Sequence, residues 1–278
     1  MNFKDKTVII TGGSKGVGAA CATAFARQRA NLVIAARGRR ELDLIAVKLR
    51  TMTKVVVVPM DVADLVACEN LLKKAQFEFG AINILVNNAG YHARGPFASV
   101  HADEMTKMID VNLKAPVVLS RLALPYLREA GGGVIVNVAS LAGMLGVPNS
   151  AVYSATKAGL RALTFALFEE LRGTGIKVAA ISPGPIDTGF IMSDVDVVSD
   201  ITFSQPISTG EAVAEEILRL CANDRREKAM PPLSGFLATF SNLFPGIARQ
   251  MRPLLEKKGR RVKRALKANL RETAREKR

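Results

Sequence analysis

A tyrosine and a lysine one helical turn apart are the residues of this sequence best suited to acid–base chemistry. Tyr153 and Lys157 lie in the segment YSATK, and side chains at positions i and i+4 share one helix face. A free tyrosine loses its proton near about pH 10, too high for efficient proton transfer at neutral pH. A cation one turn away favours the phenolate and lowers that pKa. The pair therefore indicates acid–base chemistry, although the YxxxK spacing alone arises often by chance.

A serine upstream of this pair strengthens the interpretation. Ser140 directly follows an apolar strand predicted over residues 133–138, and a helix is predicted over 153–171. The end of that strand and the start of that helix would bring Ser140, Tyr153 and Lys157 around one cleft. Such a joint placement is much less expected by chance than the YxxxK spacing, and it favours a catalytic site.

A glycine-rich segment near the N-terminus could bind a phosphate. TGGSKGVG, at 11–18, follows a short apolar strand and opens a helix. Glycines let the backbone turn tightly and approach a pyrophosphate, and a helix N-terminus offers free N–H groups and a positive dipole end. The spacing is not the GxGxxG of the common dinucleotide fingerprint, so a plain glycine-rich turn remains the alternative. The residues assigned to the cofactor here are Gly12, Ser14, Lys15, Gly16, Val17 and Gly18.

The end of the second predicted strand, residues 31–36, bears on the choice of cofactor. An acidic residue there would bind the ribose hydroxyls of NAD, but the strand ends in two alanines and Arg37 follows. Arg37 could pair with the 2′-phosphate of NADP, and Lys15 could reach the same phosphate. We interpret Arg39 and Arg40 as solvated surface charges.

Buried strands alternate with helical patterns throughout residues 1–224. Continuous apolar strands are buried on both faces, and strands separated by helices form a parallel sheet with right-handed crossovers. The sequence therefore predicts an α/β fold, a Rossmann-like doubly wound parallel sheet of six or seven strands with helices on both faces. Ligands bind such sheets at the carboxyl ends of the strands, where each segment above lies. The predicted strands cover 6–11, 31–36, 54–59, 82–86, 133–138 and 176–181, and a seventh near 227–230 is weakly marked.

The composition indicates a globular domain followed by a basic tail. The 278 residues have a net charge of +14, of which residues 225–278 carry +12 and residues 1–224 carry +2. Three scattered cysteines and two histidines predict neither a disulfide framework nor a metal site, and they favour a reducing, cytoplasmic location. Neither a signal peptide nor a transmembrane helix is expected. We divide the chain into a dinucleotide-binding catalytic domain, 1–224, and a C-terminal extension, 225–278.

Taken together, these segments resemble the short-chain dehydrogenase/reductase family. The resemblance rests on TGGSKGVG at 11–18, NNAG at 87–90 and YSATK at 153–157, together with Asn112 and Ser140. Further matches are Asp61-Val62 after the third strand, and Pro183-Gly184 with Thr188 after the sixth. Order and spacing agree over residues 4–224.

The resemblance implies a role for each matching residue. Tyr153 would protonate the carbonyl oxygen during reduction, and Lys157 would lower the pKa of that tyrosine and hold the nicotinamide ribose. Ser140 would orient the substrate oxygen, and Asn112 would hold a water in a proton relay to Lys157. The other implied cofactor contacts are Asp61 and Val62 at the adenine, Asn88, Ala89 and Gly90 along the cofactor, and Pro183, Gly184, Ile186 and Thr188 at the carboxamide and pyrophosphate.

The resulting prediction is an enzyme that reduces a ketone or aldehyde with NADPH, without a metal. Lys15 and Arg37 match the basic residues that imply NADPH/NADP+ as the cofactor. The apolar segment 189–208 indicates a hydrophobic or lipid-like substrate, although packing against the body would explain it equally. His92 and Arg94 are expected near the mouth of the pocket. The alternatives are NADP-dependent oxidation of a secondary alcohol, or a non-catalytic cofactor-binding scaffold that acts through its basic tail.

The tail indicates a surface partner. Residues 229–248 carry no charge, and residues 249–278 contain 13 Lys+Arg and three Glu. A basic amphipathic helix beside an uncharged segment is typical of an anionic membrane surface, although a solvated helix is the simpler interpretation. Nucleic acid is disfavoured because the tail lacks Tyr, Trp and His for base stacking. The predicted apolar face contains Ile247, Met251, Leu254, Leu255, Val262, Leu266 and Leu270.

Two of the predicted helices indicate that the chain forms an oligomer. The predicted helices over 105–127 and 153–171 carry apolar faces. In the family that the chain resembles, such helices pair across a two-fold axis. A homodimer or homotetramer is therefore expected.

Overall fold

A seven-stranded parallel sheet with helices on both faces forms the molecule, as predicted. The computed structural model describes residues 2–192 and 194–276, and the side chains of residues 269–276 lie outside the described part. The order of the sheet is β3-β2-β1-β4-β5-β6-β9. Its strands are β1 (Thr7–Thr11), β2 (Asn31–Ala36), β3 (Val55–Pro59), β4 (Ile84–Asn87), β5 (Gly133–Val138), β6 (Ile176–Pro183) and β9 (Glu227–Met230), while β7 (Ile186–Asp187) and β8 (Ser208–Thr209) pair separately.

The helices connect these strands and cover both faces of the sheet. They are α1 (Gly16–Arg27), α2 (Arg39–Leu49), α3 (Leu65–Phe79), α4 (Ala102–Ile109), α5 (Ala115–Glu129), α6 (Ala151–Glu170), α7 (Gly189–Met192), α8 (Gly210–Ala222), α9 (Pro232–Leu243) and α10 (Pro245–Glu276). Side chains of a strand alternate between the two faces, so Val8 and Ile10 of β1 pack with α1 and α8, whereas Ile9 packs with α3 and α5. Because both faces are covered, the strands are continuously apolar.

The region predicted as one helix over 105–127, bent near Pro116, is divided in two. A single π-helical turn, Asp110–Lys114, separates α4 from α5, so the irregularity precedes Pro116. Such turns are frequent at functional sites. This one contains Asn112, whose side chain is fully buried.

The seventh strand, which the sequence marks only weakly, joins the sheet beside β6. Its first residue, Glu227, accepts two hydrogen bonds from the Arg161 guanidinium, at 2.7 and 2.8 Å, and one from the Ser182 hydroxyl at 2.8 Å. This bidentate pair supplies the charge-assisted bonds that a charged residue at a partly buried sheet edge needs.

The last helix, α10, packs part of its surface against the segment 189–208. Val262 and Leu266 of α10 pack on Val195, Val198 and Phe203 of that segment. The apolar face predicted for the tail is therefore partly an internal packing face, and the side chain of Leu270 lies outside the described residues. The sequence could not show this, because an apolar stripe on a helix does not identify the surface that covers it.

Charged groups complete the contact between α10 and the segment 189–208. The Lys263 ammonium donates to the carbonyl oxygens of Asp196 (3.0 Å) and Val198 (2.6 Å). Arg260 pairs with Asp200 at 3.1 Å, and Lys267 pairs with Asp196. Part of the positive charge of the tail is thus matched by acidic residues of the same chain. Within the described residues, no helix combines the length and the apolar character that crossing a membrane requires.

Candidate active site

The glycine loop after β1 is folded tightly against the loop after β4. Gly12 adopts φ +64°, and a Cβ there would stand 2.9 Å from the Ala89 Cα and from the Asn88 Nδ2. A Cβ on Gly18 would overlap the Gly12 carbonyl oxygen. Both positions therefore require glycine, and the loop leaves its backbone open for close approach by a ligand.

Hydrogen bonds join these two loops directly. The Asn88 amide donates to the carbonyl oxygens of Thr11 (2.9 Å) and Gly12 (3.2 Å). The Thr11 hydroxyl accepts from the backbone N–H groups of Asn88 and Ala89, each at 3.1 Å. Asn88 and Ala89, which we predicted along the cofactor, thus also fix the shape of the glycine loop. Sequence reasoning did not assign Thr11 a role, although it begins the TGGSKGVG segment.

The ends of β1 and β2 lie side by side, as the parallel register requires. Thr11 pairs with Ala35, and Gly13 N–H donates to the Ala35 carbonyl at 3.1 Å. Lys15 and Arg37, which follow these strands, are both exposed, and neither forms an ion pair with a described residue. Two cations therefore lie at the carboxyl ends of β1 and β2, where the 2′-phosphate of NADP would bind.

Arg39 and Arg40 differ from Arg37. Arg39 pairs with Asp43 at 2.7 Å on the exposed side of α2, and Arg40 is also exposed. This matches their interpretation as surface charges.

Ser140 and Tyr153 meet at the end of β5. The Ser140 side chain forms a hydrogen bond with the Tyr153 hydroxyl. The Ser140 Oγ also accepts from Ala142 N–H at 3.1 Å and lies 3.4 Å from the Pro183 carbonyl oxygen. The end of β5, the start of α6 and the end of β6 therefore converge on one serine hydroxyl, which is the cleft that the sequence indicated.

The pKa of Tyr153 differs from the sequence expectation. Burial raises this pKa, while the hydrogen bond from Ser140 and the positive charge of Arg94 lower it less strongly. The sequence predicts that Lys157 lowers the pKa of Tyr153, but the protein's own groups raise it, because burial disfavours the charged phenolate. At neutral pH Tyr153 is a protonated phenol that can donate a proton.

Lys157 lies beneath Tyr153 and is only 4% exposed. Its Nζ donates to the Val138 carbonyl at 2.8 Å and stands 5.8 Å from the centre of the Tyr153 ring. Burial lowers the pKa of Lys157 to about 8, because a buried ammonium loses its hydration. A Cβ on Gly90 would lie 3.9 Å from this Nζ and 3.6 Å from the Asn112 Oδ1, so these three residues share one corner of the site.

Asn112 is fixed by the backbone of Tyr91. Its Oδ1 accepts from Tyr91 N–H at 2.7 Å, and its Nδ2 donates to the Tyr91 carbonyl at 2.8 Å and to Thr156 Oγ1 at 3.3 Å. Both side-chain atoms have protein partners. The amide therefore ties the loop after β4 to helix α6, which carries Tyr153 and Lys157.

The remaining predicted residues lie at neighbouring strand ends. Asp61 is exposed and accepts from Ala63 N–H at 3.0 Å, and Val62 is buried beside it after β3. Thr188 faces the glycine loop, because a Cβ on Gly16 would lie 3.5 Å from its methyl group. Of the other predicted residues, Ser14 lies between β1 and α1, and Val17 lies in the first turn of α1. Pro183 ends β6, Gly184 follows it, and Ile186 begins β7.

The two residues expected near the mouth of the pocket, His92 and Arg94, also contact Tyr153 and the segment 189–208. The His92 ring stacks on Tyr153 with centroids 4.0 Å apart and planes 10° from parallel. Arg94 pairs with Asp194 at 2.5 Å and donates to the Phe190 carbonyl at 2.8 Å. Burial and the nearby cations lower the pKa of His92 to about 3, so it is neutral at physiological pH. Arg94 thus connects the segment 189–208 to the loop beside Tyr153.

A buried polar network beneath the site was not predicted. Asn87 donates to Asn137 Oδ1 at 2.8 Å and to Ser120 Oγ at 3.2 Å, and Asn137 donates to Thr164 Oγ1 at 2.9 Å. These residues lie on β4, β5, α5 and α6. The signal available was an asparagine at the end of each of two apolar strands.

The residues present fit a nicotinamide dinucleotide. The glycine loop is open to a pyrophosphate, helix α1 begins without a side-chain cap at Lys15, and Thr188 faces the loop from the other side. Two exposed cations follow β1 and β2. The site lies at the carboxyl ends of the strands, around the centre of the sheet where the strand order reverses.

Comparison with known proteins gives the family of the chain. The sequence model of the short chain dehydrogenase family matches residues 6–196. Ketoacyl reductase HetN of Nostoc sp. is 36% identical over 227 residues, which cover 80% of this chain and 77% of that protein. An uncharacterised oxidoreductase of Staphylococcus aureus is 38% identical over 184 residues, 66% of this chain and 79% of its own. The crystal structure of levodione reductase matches the fold with a TM-score of 0.77 at 24% identity, covering 84% of this chain and 98% of that chain.

These matches define the class of protein. The chain belongs to the short-chain dehydrogenase family, and it is an oxidoreductase of the kind that uses a nicotinamide cofactor. The family match and the predicted resemblance agree.

Proposed function

We propose that this protein reduces an apolar ketone or aldehyde with NADPH, using Ser140, Tyr153 and Lys157. The observation that carries the proposal is the convergence of three elements on the Ser140 hydroxyl, which is hydrogen-bonded to the Tyr153 hydroxyl, with the buried Lys157 beneath the Tyr153 ring. A neutral phenol and a serine hydroxyl, both on half-buried residues, form a donor pair for an oxygen that gains negative charge.

The chemistry follows from these donors. The bound nicotinamide supplies the hydride, and the protein stabilises and protonates the oxygen. Ser140 donates a hydrogen bond to the carbonyl oxygen and Tyr153 transfers its phenolic proton to the same atom. The raised pKa of Tyr153 keeps that proton available at neutral pH.

Lys157 and Asn112 support the proton donor in different ways. Lys157 places a positive charge beneath the phenol, which stabilises the phenolate left after proton transfer, and its ammonium is close to where the nicotinamide ribose would lie. Asn112 is a positioning residue, since both atoms of its amide are bonded within the protein. A water relay at Asn112 would therefore use its backbone and not its side chain.

The preference for NADPH is supported by charge at the β2 end. Arg37 and Lys15 are exposed cations without ion pairs among the described residues, and the strand ends without a carboxylate. An unpaired guanidinium suits the planar, bidentate recognition of a 2′-phosphate. Asp61 and Val62 would lie at the adenine, and Pro183, Gly184, Ile186 and Thr188 would line the nicotinamide end.

An apolar substrate is supported by the rings above Tyr153. Phe190 lies 6.2 Å from the Tyr153 ring and 6.3 Å from His92, and Arg94 lies over its face at 5.2 Å. The name of the relative ketoacyl reductase HetN points to the same kind of substrate, an oxo group on an acyl chain. Oxidation of the corresponding alcohol is the reverse of this reaction, through the same residues.

The division of the chain into two parts and its assembly into an oligomer remain part of the proposal. We keep the boundary at 224/225 between a catalytic domain and a C-terminal extension, with the first strand of the extension, β9, completing the sheet of the catalytic domain. We also keep a homodimer or homotetramer through α5 and α6. Val117 on α5 is exposed, whereas Leu122 and Leu167 already pack into the core.

A reducing, cytoplasmic location is also part of the proposal. It is supported by three buried free thiols, Cys21, Cys68 and Cys221.

Substitution of the proton donor tests the proposal. NADPH oxidation is measured with a panel of long-chain ketones, ketoacyl thioesters and short polar aldehydes. Tyr153→Phe should lower kcat by at least about a thousandfold and leave NADPH affinity unchanged, because the phenolic proton is lost without changing the ring. Tyr126→Phe, on α5 away from the site, is the matched control and should keep wild-type turnover. Full activity of Tyr153→Phe would refute the proposed mechanism.

A further inference from the structure

Helix α9 exposes its apolar side and buries its small residues. Ser234, Gly235 and Ala238 face the body, and a Cβ on Gly235 would overlap the Ala229 side chain. Leu233 and Phe236 lie on the other side and are 69% and 66% exposed. The close approach of Gly235 to β9 fixes this orientation. An ordinary surface helix has the opposite arrangement, with its apolar side inward.

Exposed apolar residues also lie on the first turns of α10, which begins directly after α9. Ile247, Met251 and Leu254 are exposed and recur at helical spacing, four and three residues apart. They precede Val262 and Leu266, which pack on the segment 189–208 further along α10. The exposed apolar residues of the two helices are called the docking face, and they are Leu233, Phe236, Leu237 and Leu243 of α9 with Ile247, Met251 and Leu254 of α10. Contiguous apolar exposure of this kind marks an interaction site.

Cations border the docking face. Lys258 and Arg261 follow Leu254 at i+4 and i+7 and therefore share its side of α10, with Lys257 and Arg264 beside them. All four are exposed, and none forms an ion pair with a described residue. By contrast, Arg260, Lys263 and Lys267 of the same helix each form an ion pair with an aspartate.

We propose that the docking face binds the surface of an anionic membrane. Residues 229–248 carry no charge, so α9 can enter the interface between headgroups and acyl chains, while the cations of α10 contact the anionic headgroups. A second copy of the chain suits the surface less well. A two-fold contact would bring two sets of unpaired cations together, and like charges repel. This docking does not depend on the reductase activity.

Docking would also place the candidate active site near the lipid. The first turns of α10 carry part of the docking face, while later turns of the same helix pack on the segment 189–208, which contains Phe190 beside Tyr153. An apolar substrate dissolved in the bilayer would then be concentrated close to the segment that covers the site.

Vesicle flotation of the full chain tests the docking. Vesicles of phosphatidylcholine alone are compared with vesicles containing about 30% phosphatidylglycerol, at low salt and at about 0.5 M NaCl. Wild-type protein should float with the anionic vesicles only, and high salt should weaken the binding. Failure to bind anionic vesicles at low salt would overturn the proposal.

Paired variants separate the apolar and the charged contributions. Phe236→Ser with Leu237→Ser should lower the partition coefficient at least about tenfold, because the inserted apolar area is lost. The control is Phe77→Ser with Val66→Ser on α3, a phenylalanine and an aliphatic residue that are more exposed than Phe236 and Leu237. Lys258→Glu with Arg261→Glu should also lower it at least about tenfold, against Lys48→Glu with Lys54→Glu, which change the net charge equally. Equal losses in a pair and its control would overturn the proposal.

The oligomeric state distinguishes a second copy from a membrane. Sedimentation velocity is run on the wild type and on the Phe236→Ser, Leu237→Ser variant, and unchanged thermal unfolding confirms that the variant is folded. We expect the same sedimentation coefficient for both. A variant that dissociates in solution while binding vesicles like the wild type would show that the docking face is a contact between copies, and would overturn the membrane proposal.

Discussion

The glycine loop and the segment 189–208 both border the candidate site, but they are held in different ways. The glycine loop is fixed by residues of two short motifs, through Thr11, Asn88 and the close approach at Gly12. The segment 189–208 is held by side chains distant in the sequence, with Lys263 bonded to Val198 and Arg94 to Asp194. The first region is specified by local chemistry and the second by long-range pairing of charge.

The difference has a consequence for the function of each region. A motif that fixes its own backbone suits a cofactor that all members of the family use. A segment held by ion pairs and a small apolar cluster can change its contacts without disturbing the sheet, which suits a substrate that differs among relatives. The following predictions separate these two regions by experiment.

After Tyr153→Phe, the largest effect is expected at the buried lysine. Lys157→Met removes the positive charge beneath Tyr153 and should lower kcat by at least about a hundredfold, because the phenolate formed during reduction loses its counter-charge. Steady-state kinetics with NADPH and the best carbonyl substrate measures this. Lys107→Met, a cation on the outer side of the site, is the control, and equal kcat values for the two variants would contradict the assignment.

The pH dependence of kcat follows from the same residue. Burial lowers the pKa of Lys157 to about 8, so the lysine is cationic below that pH and loses its charge as the pH rises through it. The value of kcat for reduction should therefore fall above about pH 8. This limb should be absent from the residual activity of Lys157→Met. A kcat that rises through this range in the wild type would be inconsistent with a charged lysine.

Loss of the bridge between the two motif loops should have the next largest effect. Thr11→Val leaves the N–H groups of Asn88 and Ala89 without their acceptor in a buried setting, at a cost of about 2–3 kcal/mol in the free energy of unfolding. Denaturant unfolding measures the loss. NADPH affinity should fall in parallel because the glycine loop loses its support. Thr51→Val, an exposed threonine after α2, should change neither quantity by more than about 0.5 kcal/mol.

The smallest effect is expected where α10 holds the segment 189–208. Lys263→Met removes the bonds to Asp196 and Val198, so the segment should become more mobile and KM for the carbonyl substrate should rise about three- to fivefold. The Kd of NADPH should stay constant, because the glycine loop is untouched. Lys258→Met, on the exposed side of the same helix, is the control. A loss of NADPH affinity equal to the rise in KM would remove the distinction between the two regions.

Much of the body could be predicted from the sequence because its signals are local. The apolar runs of β1 to β6 predict a parallel sheet, and the segments at their ends predict where Ser140, Tyr153 and Lys157 meet. The weak strand β9 depends on the pair between Glu227 and Arg161, which no local pattern shows.

The extension was predicted less completely. Its amphipathic pattern predicted a helix, but charge and apolar spacing do not tell whether a stripe faces the same chain or another surface. In the structure, part of the predicted apolar stripe packs on the same chain and part is exposed: Val262 packs on the segment 189–208, whereas Met251 is exposed. The pKa of Tyr153 likewise depends on burial, which residue spacing alone does not supply.

Cofactor binding tests the central claim that these strand ends bind NADPH for a reduction. The Kd values of NADPH and NADH are measured by fluorescence titration on the wild type, Arg37→Ala and the matched control Arg40→Ala. The wild type should bind NADPH more tightly, and Arg37→Ala should raise the Kd of NADPH about tenfold without changing that of NADH, because only NADPH carries the 2′-phosphate. Arg40→Ala should change neither. Tighter binding of NADH by the wild type, or an unchanged NADPH Kd in Arg37→Ala, would contradict the claim.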